Sequence, residues 1–379
     1  MHQYQQTHRY FAQIAHGLED EGAAELADLG ATSVETAYRG LHFDAEPAAL
    51  YRINYGARLP TQILAPLLTF DCHSDRYLYK TAREIDWSAF LSPDDTFAVF
   101  ANVAHSNITH SKFAALRLKD AVVDQFRDRY GRRPSIDTRE PDLWLGLYVS
   151  NNRAVVSVAT SGGSMHRRAY RTASVEAPMQ ETVAAAVIRY TGWDGERPLY
   201  DPMCGSGTLL SEALMHYCRV PAGYLRNGFG FERLPGFDAD VWQRVRQEMD
   251  AAVRPLPPGL IAGSDRSREA VDAAAQNQAN LPFGKNVSLA VRDFRDIPAL
   301  GDHVIVCNPP YGLRLERGSD VGAFYRAFGD FLKQRCAGST AYVYFGKREL
   351  LKSIGLRTAW KKPLVSGALD GRLAKFELY

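Results

Sequence analysis

The chain has 379 residues, and at roughly 150 residues per domain it is expected to hold two or three domains. Apolar residues make up 46% and charged residues 23%, a mix that excludes a disordered, collagen-like or coiled-coil chain. Lys+Arg 45 against Asp+Glu 43 leaves a net charge of +2, so no global polybasic signature marks the partner. The flat total conceals a gradient. Residues 1–104 carry 7 basic and 14 acidic groups, residues 105–133 carry 7 and 3, and residues 344–375 carry 8 and 2. Local basic patches can hold a polyanion within about a Debye length even on a nearly neutral molecule, but a solvated helix face looks the same in sequence. The five cysteines (Cys72, Cys204, Cys218, Cys307, Cys336) are scattered, with no pair at metal-ligand spacing. Neither a disulfide framework nor a metal site is expected, and free thiols suit a reducing compartment. The start Met1-His2-Gln3-Tyr4-Gln5-Gln6 lacks a basic-then-apolar signal pattern. No apolar run nears the ~20 residues of a membrane helix. A cytoplasmic protein is expected, without membrane contact and with a monomer as the default.

In chain order, the extended run Tyr10–Ala15 precedes a helical pattern on Leu18, Ala23, Leu26 and Leu29 that Gly30 stops. Thr36 to Phe43 alternates like one strand, and a second helix is expected near Pro47 to Gly56. This is the opening of a small α+β unit. Apolar Ile63–Leu68, a helix start at Asp75–Lys80 and a strand at Phe97–Phe100 continue the style to about residue 160. Residues 110–130 form an amphipathic helix, with Phe113, Leu116, Ala121, Val122 and Phe126 expected inward and Lys112, Lys119, Arg127 and Arg129 outward. Leu143–Val149 and Ala154–Val158 are expected to pair around Ser150-Asn151-Asn152-Arg153.

A boundary falls near Ser161-Gly162-Gly163-Ser164. Beyond it apolar strands alternate with helices, the pattern of a parallel α/β sheet. Candidate strands are Pro198–Asp201, Leu260–Asp265, Val287–Asp293, His303–Asn308 and Thr340–Phe345, with Leu373–Tyr379 as an antiparallel edge.

The stretch Leu199-Tyr200-Asp201-Pro202-Met203-Cys204-Gly205-Ser206-Gly207-Thr208 takes a buried strand through a Gly-x-Gly turn into a helix. Gly205 and Gly207 let backbone approach a ligand, and a helix starting near Thr208 aims free N–H groups at it. The third glycine of the dinucleotide fingerprint is missing, Ser211 standing four residues after Gly207, and no Gly-Lys-Ser/Thr follows. A pyrophosphate would also be repelled by an acid at the strand end. An ammonium would not, which points to S-adenosylmethionine with Asp201 facing its amino group. Asp265 closes the next strand, where a carboxylate can accept both ribose hydroxyls. Asp293 ends a third, where it could meet the adenine amine. Each acid alone would serve equally as a helix N-cap; three at consecutive strand ends suit one shared ligand. An insertion of about Tyr217 to Pro258, rich in Arg and aromatics, separates the first two acids.

The sharpest signal is His303-Val304-Ile305-Val306-Cys307-Asn308-Pro309-Pro310-Tyr311. Two prolines after a buried strand fix the chain and remove two donors. The Asn308 side-chain oxygen and the Pro309 carbonyl remain as acceptors. A nucleobase amine offers two N–H donors to such a cluster, and Tyr311 could stack on the base. Rate would come from aligning the nitrogen with the S–CH3 bond.

These residues resemble the THUMP-domain class I S-adenosylmethionine-dependent RNA methyltransferases, most of all the bacterial 23S rRNA guanine-N2 enzymes. The resemblance spans essentially the whole chain. Besides the two motifs above, Leu118-Lys119-Asp120-Ala121-Val122-Val123-Asp124 and Gly131-Arg132-Arg133-Pro134-Ser135-Ile136-Asp137 are similar to the THUMP helix and following strand. Ser161 to Arg171 resembles the linker into the catalytic domain, and Ala177 to Thr182 the helix start that covers the cofactor. Two departures stand out. The linker usually reads Lys-Arg-Gly-Tyr-Arg, whereas Arg168-Ala169 replaces its Arg-Gly step, and Met179 stands at a usual Leu.

The resemblance implies an N-terminal ferredoxin-like part (1–50), a THUMP RNA-binding domain (51–160) and a Rossmann-like methyltransferase domain (161–379). It assigns Asp201, Pro202, Gly205, Gly207, Thr208, Asp265, Asp293 and Asn308 to S-adenosylmethionine, and Asn308, Pro309 and Tyr311 to the target guanine. RNA, rRNA first, would be held chiefly by Lys112, Lys119, Arg127, Arg129, Arg132 and Arg133. Some relatives carry a second, fused methyltransferase domain, and a single modification is expected here. A tRNA guanine-N2 methyltransferase and a non-catalytic RNA-binding relic of the fold are the alternatives.

Overall fold

The computed structural model describes residues 1–175, 178–310, 320–367 and 369–379. The chain divides into two compact units: Met1–Ile14, Glu19–Met165 and Arg226–Gln247 form the first, and Ala15–Leu18, His166–Leu225 and Glu248–Tyr379 the second.

The first unit is built on β1 (Arg9–Gln13), β2 (Thr32–Ala37), β3 (Gly40–Asp44), β4 (Gln62–Asp71), β5 (Thr96–Ala104), β6 (Ser135–Ile136), β7 (Leu143–Ser150) and β8 (Arg153–Ala159). They make one eight-stranded sheet in the order β2-β3-β1-β4-β8-β7-β5-β6. The ferredoxin-like and THUMP parts therefore share a sheet, joined through β4, which pairs with β1 on one side and β8 on the other. Pro66 sits in β4 where the register to β8 shifts, the kind of irregularity that tolerates a missing donor. Its helices are α1 (Gln3–Thr7), α2 (Glu19–Asp28), α3 (Pro47–Gly56), α4 (Asp75–Ala82) and α5 (Ser111–Tyr130).

Two local expectations are corrected. Thr36 to Phe43 is not one strand but the facing halves of a hairpin, turned at Tyr38-Arg39 with Arg39 at φ 56°; the alternation survives because both strands carry it. On α5 the buried side is Ala114, Leu118, Ala121, Val122 and Phe126, while Phe113 and Leu116 are 47% and 46% exposed. The i, i+4, i+7, i+8 ridge from Ala114 faces the sheet, and Phe113 and Leu116 fall far around the helix from it. The β7–β8 hairpin forms as expected, with Asn151 and Asn152 both at positive φ, as a two-residue type I′ turn requires.

The second unit holds β9 (Leu199–Asp201), β10 (Ile261–Asp265), β11 (Ser288–Val291), β12 (Val304–Cys307), β13 (Thr340–Phe345), β14 (Trp360–Pro363) and β15 (Arg372–Glu377). Their order is β11-β10-β9-β12-β13-β15-β14. The first five are parallel, and β15 and β14 add antiparallel pairs. This is the class I methyltransferase sheet. β15 is antiparallel as expected, but it is not the edge: β14, whose Trp-Lys-Lys-Pro sequence gives no strand signal, covers it. Its helices are α6 (Glu181–Thr191), α7 (Thr208–Tyr217), α9 (Arg268–Ala279) and α10 (Val321–Arg335), whereas α8 (Ala239–Ala251) falls mostly in the first unit. Ile305, Phe328, Phe331, Val343, Phe345 and Phe376 pack one side of the sheet into a core.

The insertion between α7 and β10 is partly a piece of the first unit. Within that unit Phe231 stacks on Tyr51 at 4.6 Å, Trp242 meets Tyr55 and Phe229 edge-on, and Arg233 pairs with Asp95 at 3.1 Å and Asp142 at 3.2 Å. Its aromatics and arginine have structural work here. No described helix is long and apolar enough to cross a membrane.

Candidate functional site

The parallel strands end in a row of polar residues. Asp201 closes β9 and pairs in register with Gly263, two residues before Asp265 closes β10. Asp265 in turn pairs with Val291, two residues before Asp293. Asn308 follows Cys307, the last residue of β12, which lies on the other side of β9. The strand order runs outward in both directions from the β9/β12 pair, and ligands of open α/β sheets bind in the crevice at such a switch point.

Asp201 is 1% exposed. One carboxylate oxygen accepts from the Met203 N–H at 3.0 Å. Burial, reinforced by the neighbouring Asp265 charge, pushes its carboxyl up to about 8. Asp265 accepts from the Gly205 N–H at 3.0 Å and the Ser267 N–H at 2.9 Å, so it ties the glycine loop to the start of α9 while each oxygen keeps a further lone pair. Asp293 caps the short turn Phe294–Asp296 through the Arg295 N–H and pairs with the Arg295 guanidinium at 3.2 Å. Burial pushes the Cys204 and Cys307 thiols far up, and both Asp201 and Asp265 add to it. Both thiols are therefore held in the neutral form, which does not suit them as nucleophiles.

The two loop glycines have different reasons. Both have positive φ, 53° at Gly205 and 79° at Gly207. A Cβ on Gly207 would come within 2.9 Å of the Ala274 Cβ, so α9 occupies that space. Among the described residues a Cβ on Gly205 would meet only Val175, at 3.8 Å. Gly205 is the glycine with room for a ligand, and Gly207 the one that lets α9 close on the loop. Pro202 is buried in the turn after Asp201, and Thr208 begins α7.

Two residues that sequence reasoning passed over organise this loop. The Arg171 guanidinium donates to the Ser206 and Thr208 hydroxyls at 3.1 and 3.0 Å, to the Met179 carbonyl at 3.2 Å and to the Glu181 carboxylate at 2.9 Å. Asn277 accepts from the Thr172 and Ala173 N–H groups and donates to the Ala173 and Ser206 carbonyls. The linker is thereby stitched to the glycine loop; the signal for Arg171 was its place in the linker motif, whereas Asn277 carried none. Arg171→Ala should loosen the loop and weaken cofactor binding by about 1–2 kcal/mol, or roughly tenfold, without unfolding the unit. Calorimetric titration with S-adenosylhomocysteine checks this, and an unchanged affinity would refute the role.

The linker's departure from its family pattern also has a physical reading. Ala169 has φ 68°, in the left-handed region where a Cβ costs roughly 1–2 kcal/mol. Its neighbours leave no alternative, because Arg168 is buried against Glu212 and Tyr170 is fully buried. Ala169→Gly is expected to stabilise the protein by about 1 kcal/mol, seen as a higher denaturation midpoint; a lower midpoint would contradict it.

At the acceptor end, the Asn308 Oδ1 is buried and accepts no hydrogen bond among the described residues. A buried amide oxygen left without a donor costs about 1–3 kcal/mol, which a ligand donor would recover. Pro309 is buried beside it. Tyr311 lies outside the described residues.

The expected RNA-binding set is spread over α5 and the segment after it. Lys119 pairs with Asp120 at 2.5 Å, Arg127 with Asp124 at 3.3 Å, Arg129 with Asp86 at 3.0 Å and Arg132 with Asp94 at 2.8 Å. Arg133 donates to the Pro134 carbonyl. Lys112 is exposed at the start of α5. Among the described residues no group of His, Cys, Asp and Glu side chains gathers as a metal site.

Residues 168–375 match the family described as RMKL-like, methyltransferase domain. The chain belongs to the RMKL-like methyltransferases. Residues 73–159 of this RMKL-like protein match the THUMP domain and residues 9–64 the RlmL ferredoxin-like domain. It is 40% identical over 98% of its length to a Synechocystis protein provisionally named RNA methyltransferase slr0064, 97% of which is covered. It is 37% identical, over 98% of its length, to the Ribosomal RNA large subunit methyltransferase K/L of Syntrophotalea carbinolica, of which it spans 53%. Among solved structures, SMU.472, provisionally named a methyltransferase and complexed with SAH, superposes with a TM-score of 0.83 at 25% identity, covering 98% of both chains.

Proposed function

We propose that this RMKL-like methyltransferase transfers a methyl group from S-adenosylmethionine to the exocyclic N2 amine of a guanosine in 23S rRNA. The observation that carries the reading is the Asn308 Oδ1, a buried acceptor that no donor among the described residues meets, one strand from a buried carboxylate at the sheet's switch point. The residues fit the cofactor. Asp201, buried and with one oxygen that no N–H among the described residues reaches, suits its ammonium; Gly205 leaves room for the aminoacyl part; Asp265 suits the ribose hydroxyls and Asp293 the adenine end. When bound, S-adenosylmethionine supplies an electrophilic methyl on its sulfonium.

Asn308 and the Pro309 carbonyl would accept the two amine hydrogens, turning the nitrogen lone pair toward the donor. Methylation forms one N–C bond as the S–C bond breaks, and the nitrogen then releases a proton. The base must leave its stack to reach this crevice, at a cost of a few kcal/mol that contacts to the RNA backbone offset. Lys112, Arg133 and those arginines whose carboxylate partners phosphate displaces would supply part of that. Mass mapping of 23S rRNA and tRNA from a strain lacking the gene tests the reading: loss of one N2-methylguanosine from 23S rRNA is expected. Loss from tRNA instead would replace the substrate.

A further inference from the structure

The second basic run, residues 344–375 with 8 Lys+Arg against 2 Asp+Glu, plays no part in the site above. In the second unit it borders the sheet. Lys347 directly precedes the helical turn Arg348–Ile354, which follows the carboxyl end of β13. That is the end at which Asn308 stands on the adjacent strand. At the outer edge, the register runs from Cys307 through Val343 and Ala374 to Lys361. Lys361 is thus one residue short of the level of Asn308 and three strands away, about 14 Å at ~4.8 Å per strand.

The charge here is available in a way that the charge on α5 is not. Lys347, Arg348, Lys352, Arg357 and Lys361 are all exposed. Among the described residues none of the five forms an ion pair: Asp370 is held by Arg372 and the nearby Glu377 by Lys375, and the exposed Glu349 beside Arg348 makes no ion pair with any of them. Arg348 is close enough to help hold the Asp370 carboxyl below its usual range, but Arg372 dominates that effect. On α5 and beyond, Lys119, Arg127, Arg129 and Arg132 each already face a carboxylate. Binding of phosphate by a paired arginine must first break that pair, whereas an unpaired one gains counterion release outright. Lysine on an edge strand also discourages sheet-to-sheet pairing, which would account for Lys361 but not for Lys347, Arg348 and Lys352, which are outside any strand.

The geometry points to this border as an RNA-backbone surface that holds the phosphates flanking the target nucleotide, an inference that rests on the RNA methyltransferase reading. The test compares the wild type with the variant K347Q/R348Q/K352Q/K361Q, using a fluorescein-labelled 23S rRNA stem-loop transcript titrated by anisotropy across about 50 to 200 mM salt. The variant should bind at least ~10-fold more weakly at the low end, and its slope of log K against log salt should fall by about 3. Affinity for S-adenosylhomocysteine should stay unchanged, which shows the unit folded. R127Q/R129Q/R132Q should lose less. Equal affinity and slope in wild type and quadruple variant would overturn the inference and leave the RNA reading standing. A wild type that does not bind the transcript would overturn both.

Discussion

Asn308→Ala is expected to lower turnover by about 10²–10³-fold, the usual cost of deleting one preorganised hydrogen-bonding group at a reacting centre, while S-adenosylhomocysteine binds as before. The split follows from position. Asn308 lies past β12 with a buried oxygen that no described group satisfies, whereas Asp201, Asp265 and Asp293, the acids expected to carry most of the cofactor's binding, follow β9, β10 and β11, so any contact Asn308 makes with the cofactor is minor beside theirs. Removing an orphan acceptor also relieves a buried polar group, so the variant should fold at least as well as the wild type. Asn308→Asp, which keeps an acceptor, should retain more turnover than the alanine variant. Single-turnover transfer of labelled methyl to rRNA measures the chemical step, and titration measures binding. Comparable turnover in Asn308→Ala would remove the residue from the reaction.

The second large effect is at Asp201. Deleting a buried carboxylate that meets an ammonium costs about 3–5 kcal/mol, so Asp201→Ala should weaken cofactor binding by roughly 10²–10⁴-fold. The pH dependence has a definite sign. Burial raises this carboxyl to about 8 in the folded protein, against ~3.9 in an unfolded chain. The folded state keeps a proton that the unfolded chain releases, so this group lowers stability progressively as pH climbs from about 4 to about 8, then no further. A bound ammonium favours the carboxylate and reverses the preference. Affinity for S-adenosylhomocysteine should therefore rise with pH toward 8, by up to about tenfold per unit, with release of a proton. Asp201→Asn should flatten that profile. Titrations in buffers of different ionisation enthalpy read the proton directly, and a flat wild-type profile with no proton release would contradict the assignment.

The legible parts of this protein were those in which local pattern and global fold agree. The parallel strands β9 to β13 could be read because each is a short, largely apolar run, closed by a polar residue in all but β13, and the helix α3 because proline opens it and apolar positions recur. β14 was not legible: Trp-Lys-Lys-Pro has the composition of a charged loop, and it becomes a strand only because β15 offers an edge. Phe113 and Leu116 were misplaced because their size suggested burial, while the phase of α5 is set by the smaller Ala114 and Ala121. In the site, the strand-end acids and Asn308 follow from their position after apolar runs. The brace formed by Arg171 and Asn277 does not, since residues about 100 positions apart meet only through the fold. The left-handed Ala169 shows the reverse: its strain becomes visible only once the backbone angle is known, although the missing glycine marked the place.

The most direct test is a crystal structure of the protein with S-adenosylhomocysteine and a short RNA carrying the target guanosine. The guanine N2 is expected within hydrogen-bonding distance of both the Asn308 Oδ1 and the Pro309 carbonyl oxygen, facing the cofactor sulfur. A cofactor seated against Asp201 with its sulfur walled off from Asn308, or a base held elsewhere, would contradict it.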